Sequence, residues 1–179
     1  MKTPATVVHS IIVLLAILFV LPLRAADVLI PTGATWKYLD NGSDQGAAWR
    51  APAFNDTAWA SGPAQLGYGD GDEATVVSYG PNSGAKYITT YFRRSFNVVN
   101  AAAYLNATVR VLRDDGAVIY VNGTEVFRSN MPGGSIGYQT LASSAIDDIA
   151  FYSASFSPGL LVDGANVVAV EIHQANGTS

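Results

Sequence analysis

The sequence predicts an all-β domain, a sandwich or a barrel, on three observations. Most of the 17 glycines and 8 prolines lie between short runs of β-branched and aromatic residues, which is typical of short strands joined by turns. No segment after residue 25 sustains apolar residues at helical spacing. The pair Asn122-Gly123 separates two apolar-rich runs and predicts a type I′ hairpin turn, because both central residues of that turn need positive φ.

Seven segments have the composition of strands. In chain order they are residues 35–39, 87–98, 107–113, 118–121, 124–127, 150–156 and 167–173. Side chains alternate between the two faces of a strand, so the apolar residues that share a face predict the core. The predicted core consists of Phe92, Phe96, Val109, Val111, Ile119, Val121, Val168, Val170 and Ile172. Residues 40–84 contain no predicted strand and are expected to be rich in loops.

The N-terminus has the pattern of a secretory signal peptide over residues 1–25. Lys2 supplies the positive charge, residues 11–21 form an uninterrupted apolar run, and Ala25 is the expected residue before the cut. A membrane helix needs about 20 apolar residues, so this run is too short to span a bilayer, although a retained N-terminal anchor is the alternative. Residues 26–179 are therefore expected to form one domain, secreted or periplasmic or at the cell surface, with no membrane attachment after cleavage.

Charge and composition exclude several classes of function. The net charge is −4, and the only basic doublet, Arg93-Arg94, is predicted to point to opposite faces of a strand, so no nucleic-acid partner is expected. There is no cysteine, which excludes metal sites built from thiolates. After the signal peptide His173 is the one histidine, which argues against most zinc sites and most His-dependent hydrolases.

Several motifs together resemble the galactose-binding-like (jelly-roll) accessory domains of secreted bacterial proteins, which are sometimes found beside metallophosphoesterase domains. They are residues 49–59 (WRAPAFNDTAW), 67–73 (GYGDGDE), 90–93 (TYFR), 113–116 (RDDG), 120–123 (YVNG) and 160–174. The resemblance implies a jelly-roll sandwich of two antiparallel sheets. It also implies a non-catalytic module that binds a polysaccharide or glycan. The alternative is a structural or interaction module that spaces or docks a downstream catalytic domain, such as a metallophosphoesterase.

The chain departs from this pattern at its end. Similar domains continue past the segment that corresponds to residues 173–176 with a further turn and a final strand, whereas this sequence stops at Ser179. A sheet without its last strand has an unpaired edge. The sandwich is therefore predicted to lack its final strand, and the sequence is predicted to be the N-terminal fragment of a longer protein.

Two acidic segments are candidate sites. Asp114 and Asp115, next to Arg113, would supply the hard oxygen ligands of calcium or would bind sugar hydroxyls, and Asp-Asp-Gly resembles the motif of flocculin-type lectin modules, where the acids hold calcium and ligand. The alternative is a strand-ending turn in which Gly116 has positive φ. In the loop 69–73, Asp70 and Asp72 would contribute to a calcium site, and the alternative is an ordinary surface loop.

Aromatic residues are the third candidate. Tyr68, Tyr79 and Tyr138 would stack on sugar rings if they were exposed. Trp49 and Trp59 are instead expected in the core, because tryptophan buries a large apolar area.

The last predicted strand supplies the fourth candidate. Glu171 and His173 share one face and would contact one ligand or act as an acid/base couple. The alternatives are a polar, partly wet outer face or a hydrogen-bonded pair. No serine lies in a recognisable nucleophile elbow, so the chain itself is not expected to be an enzyme, and no catalytic residue is assigned.

Overall fold

The computed structural model describes residues 26–147 and 150–179, so the predicted signal peptide, residues 1–25, lies outside the described residues. In the described part no helix is long and apolar enough to cross a bilayer. The chain there forms strands joined by loops and short 3₁₀ turns. The strands are β1 (Thr35–Leu39), β2 (Ala60–Pro63), β3 (Leu66–Gly67), β4 (Thr75–Val76), β5 (Thr89–Val98), β6 (Ala107–Val111), β7 (Gly116–Val121), β8 (Thr124–Ser129), β9 (Tyr152–Phe156) and β10 (Gly164–His173).

One large sheet organises the domain. Its strand order is β2-β1-β5-β10-β7-β8, and every neighbouring pair is antiparallel. The two ten-residue strands, β5 and β10, lie side by side at its centre. The antiparallel pair β6-β9 packs on one face through apolar side chains that include Val109, Val111 and Phe156. The predicted all-β, antiparallel architecture is confirmed, and the two-residue parallel pair β3-β4 is a small exception to it.

The predicted strands are confirmed within a few residues of their ends, but three short strands were not predicted. Strands β2, β3 and β4 lie in the region predicted to be loops. Strand β2 reads ASGP, which has almost no β propensity, and backbone pairing to β1 holds it in place. Gly62 of β2 has no room for a side chain, because a Cβ there would lie 2.2 Å from Oγ1 of Thr75. The prediction that a final strand is missing stays a prediction.

The hairpin between β7 and β8 has the predicted turn. Asn122 and Gly123 have φ values of 50° and 85°, and Val121 pairs with Thr124 across the turn. The Asn122 side chain donates to the Leu160 carbonyl in the loop before β10 and to Oδ1 of Asn166 in β10 itself. The turn residue therefore fixes the hairpin and also its contact with the loop before β10.

The face of the large sheet that meets β6 and β9 is the predicted core. All nine predicted residues belong to its apolar clusters, with Phe92, Ile119, Val121, Val168 and Val170 fully buried and the other four partly buried. The alternation that predicted them is therefore confirmed.

The opposite face of the sheet is also buried, so the prediction of a partly wet face is wrong. Trp49 and Trp59 pack there on Tyr91 and Tyr120 of the sheet, as expected for core tryptophans. Residues from the segment 131–138 complete the cover. Two loop segments that have no regular pattern thus form a third layer, and periodicity within the strands carries no signal for such a layer.

Candidate functional site

A small cavity opens between the loop after β3 and the centre of the large sheet; we call it the Tyr68 cavity. Its volume is about 70 Å³. Phe92 and Ile172 contribute apolar walls. Its polar lining consists of Gln65, Tyr68, Asp70, Glu73, Thr90, Arg113, Asp114 and Gln174. The structure therefore brings together four of the predicted ligand and metal residues, Tyr68, Asp70, Arg113 and Asp114.

Asp115 and Arg113 both form hydrogen bonds with other groups of the protein. The Asp115 carboxylate accepts hydrogen bonds from the backbone N–H groups of Ile146 (2.8 Å) and Ala175 (2.7 Å) and from the Ser179 hydroxyl (2.5 Å). Burial alone would raise the pKa of Asp115, but these donors lower it. Arg113 donates to the Ser129 hydroxyl and to the Asp115 carbonyl. These contacts support the structural interpretation, in which the segment 113–115 ties together the loops around it.

Gly116 differs from the expectation, because it is the first residue of β7 and does not have positive φ. Glycine is required there by close packing: a Cβ would lie 2.5 Å from Sδ of Met131 and 2.8 Å from Cβ of Ala142. The absent side chain lets the loop layer approach the sheet.

The acidic loop 69–73 is organised by its own glutamate. The two carboxylate oxygens of Glu73 accept the backbone N–H groups of Asp70 (3.0 Å) and Gly71 (2.9 Å), and these hydrogen bonds lower the pKa of Glu73. One ligand oxygen from each of Asp70, Asp72 and Glu73 lies within 4.8 Å of the others. Asp72 is exposed and does not line the Tyr68 cavity, whereas Glu73, the third acid of this loop, does.

Asp114 is a carboxyl group whose environment disfavours charge. Burial, a hydrogen bond to Asp115 and the negative charges of Asp115, Asp147 and Asp70 together raise the pKa of Asp114 to about 7. Burial and the same aspartate pair raise the pKa of Tyr68 to about 12. Near neutral pH the cavity therefore contains a carboxyl group close to its titration midpoint beside a neutral phenol.

We expect Asp114→Asn to stabilise the protein in a pH-dependent way. The folded state holds the Asp114 proton up to a higher pH than the unfolded chain, so wild-type stability falls as the pH rises from about 4 to about 7. The asparagine side chain of the variant cannot ionise and escapes this loss. After allowance for solvent screening, we expect a gain of about 1–2 kcal/mol in unfolding free energy at pH 8 and almost none at pH 4.

Urea denaturation at both pH values measures this difference, and Asp72→Asn is the matched control because Asp72 is exposed on the neighbouring loop. A loss of stability at pH 8 in the Asp114 variant would contradict the assignment of an unfavourable buried charge.

Two tyrosines lie at the edge of the cavity. The rings of Tyr68 and Tyr79 are 5.2 Å apart, and the Lys86 ammonium lies 5.0 Å from the Tyr68 ring and 5.7 Å from the Tyr79 ring. Tyr79 is 37% exposed. Tyr138, the third candidate for sugar stacking, packs instead on Tyr91 in the loop-layer core, at 6.5 Å between ring centroids.

Glu171 and His173 lie on the other face of β10, away from the Tyr68 cavity, at the centre of a buried polar network. Oε1 of Glu171 accepts from the Tyr120 hydroxyl (2.6 Å) and from the Arg50 guanidinium (3.3 Å). Oε2 of Glu171 lies 3.3 Å from Nε2 of His173. The two side chains therefore form a pair, as one alternative predicted, but they do so inside the protein.

The contacts of His173 fix its ring. Nδ1 is 2.7 Å from the Thr140 carbonyl, which can only accept, so Nδ1 carries a proton. The Thr89 hydroxyl donates to the Tyr138 carbonyl and can therefore only accept from Nδ1. With His173 at 0% exposure, no substrate reaches this couple.

Gln174 is the cavity residue that the sequence analysis missed. It is 8% exposed, lines the Tyr68 cavity, and its Oε1 has no hydrogen-bond partner among the described residues. A signal for it existed: Gln174 continues the spacing of Val168, Val170 and Ile172 by one more step, onto the same face of the sheet. Polar residues at the end of an inward-facing series are candidates for a site, because burial leaves their hydrogen-bonding groups to be satisfied.

No protein-family model matches this sequence, and no curated protein sequence matches it. Solved structures do resemble the fold. A β-glucuronidase from Lactobacillus rhamnosus has a TM-score of 0.51 and 18% identity, over 79% of this chain and 20% of that one. A glycoside hydrolase family 2 β-glucuronidase has a TM-score of 0.50 and 15% identity, over 82% and 15%.

A further neighbour is a calcium-binding mutant of Bacteroides uniformis β-glucuronidase 2, with a TM-score of 0.48 and 19% identity over 79% of this chain. This chain spans only about a seventh to a fifth of the length of these enzymes. Identities this low show similarity of fold alone. The chain therefore resembles in fold a part of the two β-glucuronidases with TM-scores of 0.50 and 0.51, and that part makes up only 15% and 20% of their length.

Proposed function

We propose that this chain is a non-catalytic accessory module of a secreted protein and that it binds carbohydrate at the Tyr68 cavity. The observation that carries the proposal is an exposed aromatic ring, Tyr79, beside a cavity lined by carboxyl and amide groups. Sugars offer hydroxyl groups that pair with carboxyl and amide groups, and apolar faces that pack on aromatic rings. A volume of about 70 Å³ admits the substituents of one sugar edge, while the ring itself would lie against Tyr79.

The positions of the other polar groups support a binding role over a catalytic one. Hydrolysis of a glycoside needs two carboxyl groups on opposite sides of the bond that is cleaved. In the Tyr68 cavity, both Glu73 oxygens are used by backbone N–H groups, and Asp70 and Asp114 line the same cavity of about 70 Å³. The Glu171–His173 pair lies on the opposite face of the sheet. The proposed module would serve a catalytic domain elsewhere in a longer protein.

We expect the protein to bind at least one member of a panel of oligosaccharides, and Tyr79→Ala to weaken that binding about tenfold or more, since it removes the apolar platform. Isothermal titration calorimetry measures both affinities. The matched control is Phe151→Ala, because Phe151 is also exposed but packs on Arg110 and is not among the residues that line the cavity. Equal losses in the two variants would contradict the assignment of the site, and no binding across the panel would contradict the function.

We propose calcium as a candidate cofactor of this binding. One oxygen from each of Asp70, Asp72 and Glu73 lies within 4.8 Å of the others, and calcium prefers oxygen ligands. If calcium binds there, 5 mM calcium should raise the melting temperature relative to EDTA, because a ligand that binds only the native state stabilises it. Asp72→Asn should remove the increase. Identical melting curves in the two buffers would exclude calcium from the binding step.

A structural or docking role for a downstream catalytic domain is the second candidate function. It is favoured by exposed apolar side chains near two contacting 3₁₀ turns, Ala101–Ala103 and Pro158–Leu160. Val99 and Leu105 flank the first turn, Val162 follows the second, and all three are more than half exposed. This role predicts no glycan binding by the chain, so the same calorimetric panel separates the two functions.

A further inference from the structure

Two small sheets cover the apolar face of the large sheet, and a gap separates them. The pairs β3-β4 and β6-β9 are not joined by hydrogen-bonded strands in the described part of the chain. Leu66 of β3 and Val109 of β6 nevertheless pack on the same buried cluster, which includes Phe92 of β5 and Val170 of β10. The Tyr68 cavity is one end of the gap, since it lies between Leu66 and residues 112–114. The covering layer is therefore incomplete above the central strands of the large sheet.

The unpaired edge of β6 faces this gap. Among the described strands, β6 pairs with β9 alone. Strand β9 packs beside β8, which is an edge strand of the large sheet. The other edge of β6 must therefore face back across the large sheet, toward β5 and β1. Alternate residues of Ala107–Val111 direct their backbone N–H and C=O groups to that side, where no described strand pairs with them.

The surface toward which this edge points is apolar and only partly covered. Trp36 of β1 and Phe96 of β5 belong to the apolar cluster on this face, as do Val109 and Val111 of β6. All four side chains are partly exposed, whereas every residue of β7 is buried. One more strand over this face would remove apolar surface from water, which stabilises the folded state.

Arg94 provides a second, independent observation on this face. It alternates with Phe92 and Phe96 along β5 and therefore points to the same side of the sheet. Its guanidinium donates to the Thr35 carbonyl, but its Nε is buried and has no hydrogen-bond partner among the described residues. Buried N–H groups are ordinarily satisfied. A segment that covers this face should therefore bring an oxygen acceptor to Arg94.

The shape of the gap admits one extended strand and excludes a second domain. Strands in a sheet are about 4.8 Å apart and packed sheets about 10 Å apart, so a strand beside β6 would lie over the large sheet. The large sheet continues below through β5, β1 and β2. A second copy that paired its own β6 at this edge would place its large sheet in the space that this one occupies. The occupant is therefore an extended segment and not a folded domain.

The position of Ser179 indicates which segment this is. The Ser179 hydroxyl donates to the Asp115 carboxylate (2.5 Å), and the Ser179 carbonyl accepts from the Lys86 ammonium (2.6 Å). Asp115 is the fourth residue after β6 ends at Val111. Ser179 is thus held near the end of β6 at which an antiparallel partner would begin. A chain that continued from Ser179 would enter the gap through a short connection.

We propose that the unpaired edge of β6 binds a segment of the same protein that follows Ser179, as a strand antiparallel to β6. Its inward side chains are apolar and pack on Trp36 and Phe96, and one of its oxygen atoms accepts from Arg94. Such a strand would complete the sandwich, whose final strand the sequence is predicted to lack. The residues of β6 do not line the Tyr68 cavity, so this site is separate from the proposed carbohydrate site.

Hydrogen–deuterium exchange tests this inference on two proteins. One ends at Ser179, and the other continues for the next ~20 residues that its gene encodes, enough for a turn and a strand. The outward N–H groups of β6 should exchange about tenfold more slowly, or slower still, in the longer protein, because they become hydrogen-bonded. The outward N–H groups of β2, an edge strand of the large sheet, are the internal control and should exchange equally in both.

Replacement of Arg94 by methionine supplies a second measurement on the same two proteins. Arg94→Met should lower the Tm of the longer protein by about 3 °C more than that of the shorter one, because only the longer protein contains the acceptor. The matched control is Arg110→Met. Arg110 is exposed on the outer face of β6, where it packs on Phe151, so its replacement should shift the two Tm values equally.

The opposite outcomes overturn the inference. A stop codon directly after Ser179 would remove the proposed segment, and unchanged exchange of β6 in the longer protein would place that segment elsewhere. Protection of β6 that arises only at high protein concentration would assign the edge to a strand from another molecule. An equal Tm loss from Arg94→Met in both proteins would show that no strand covers Arg94. None of these results bears on glycan binding, which the calorimetric panel tests separately.

Discussion

Replacement of Arg93 by methionine should lower the free energy of unfolding by about 3–5 kcal/mol, because it leaves buried polar groups without their partner. Arg93 lies at the centre of β5 and is 2% exposed. Its guanidinium donates to Oδ2 of Asp56 at 2.8 Å and to the backbone carbonyls of Trp49 and Ala51. Methionine preserves much of the volume but no donor, so the carboxylate and both carbonyls lose a hydrogen bond.

Urea denaturation followed by tryptophan fluorescence measures this loss, and the chain offers a matched control in the next residue. Arg94 points to the other face of β5, is only half-buried, and contacts a single carbonyl, that of Thr35. We expect Arg94→Met to cost less than about 1 kcal/mol, as for most partly exposed polar contacts. If the two variants lost equal stability, Arg93 would not be the residue that holds the loop layer on the sheet.

The difference between these two neighbouring arginines also shows what the sequence could and could not predict. Strand alternation placed Arg93 and Arg94 on opposite faces, and the structure confirms this. The same alternation identified the apolar core, because those residues repeat with the period of a strand. It assigned Glu171 and His173 to a partly wet face, since a polar side chain in a strand ordinarily indicates solvent.

That last expectation is wrong because the cover of the face comes from loops. The segment around Trp49 and the segment 131–138 have no regular period. Contacts to Arg93 and Glu171 hold the first segment, and a hydrogen bond from the Thr89 hydroxyl to the Tyr138 carbonyl holds the second. The residues of the Tyr68 cavity could be predicted only in part. Tyr68, Asp70 and Asp114 belong to motifs that stand out in the sequence. Gln174 belongs to no such motif and becomes a candidate only because the structure buries it beside them.

Truncation of Trp49 is the second change for which we expect a large loss of stability. Truncation to alanine should destabilise the protein by about 3–5 kcal/mol, the usual range for a large aromatic residue in a core. Trp49 is 0% exposed, and its ring lies 4.8 Å from Tyr91, 5.8 Å from Tyr120 and 6.5 Å from Trp59. Thermal denaturation monitored by circular dichroism measures the loss without relying on the fluorescence of the removed residue.

Trp49→Phe tests the reason for that loss. The indole N–H of Trp49 is buried and has no partner among the described residues, so phenylalanine removes an unsatisfied donor while it keeps an aromatic ring on Tyr91. We therefore expect Trp49→Phe to recover at least half of the stability that Trp49→Ala loses. A phenylalanine variant as unstable as the alanine variant would mean that the N–H forms a hydrogen bond, most simply to a buried water molecule. The loss of that hydrogen bond would then add to the stability lost through the smaller ring. Recovery would instead show that the loop layer is held by ring packing, with Arg93 supplying its polar anchor.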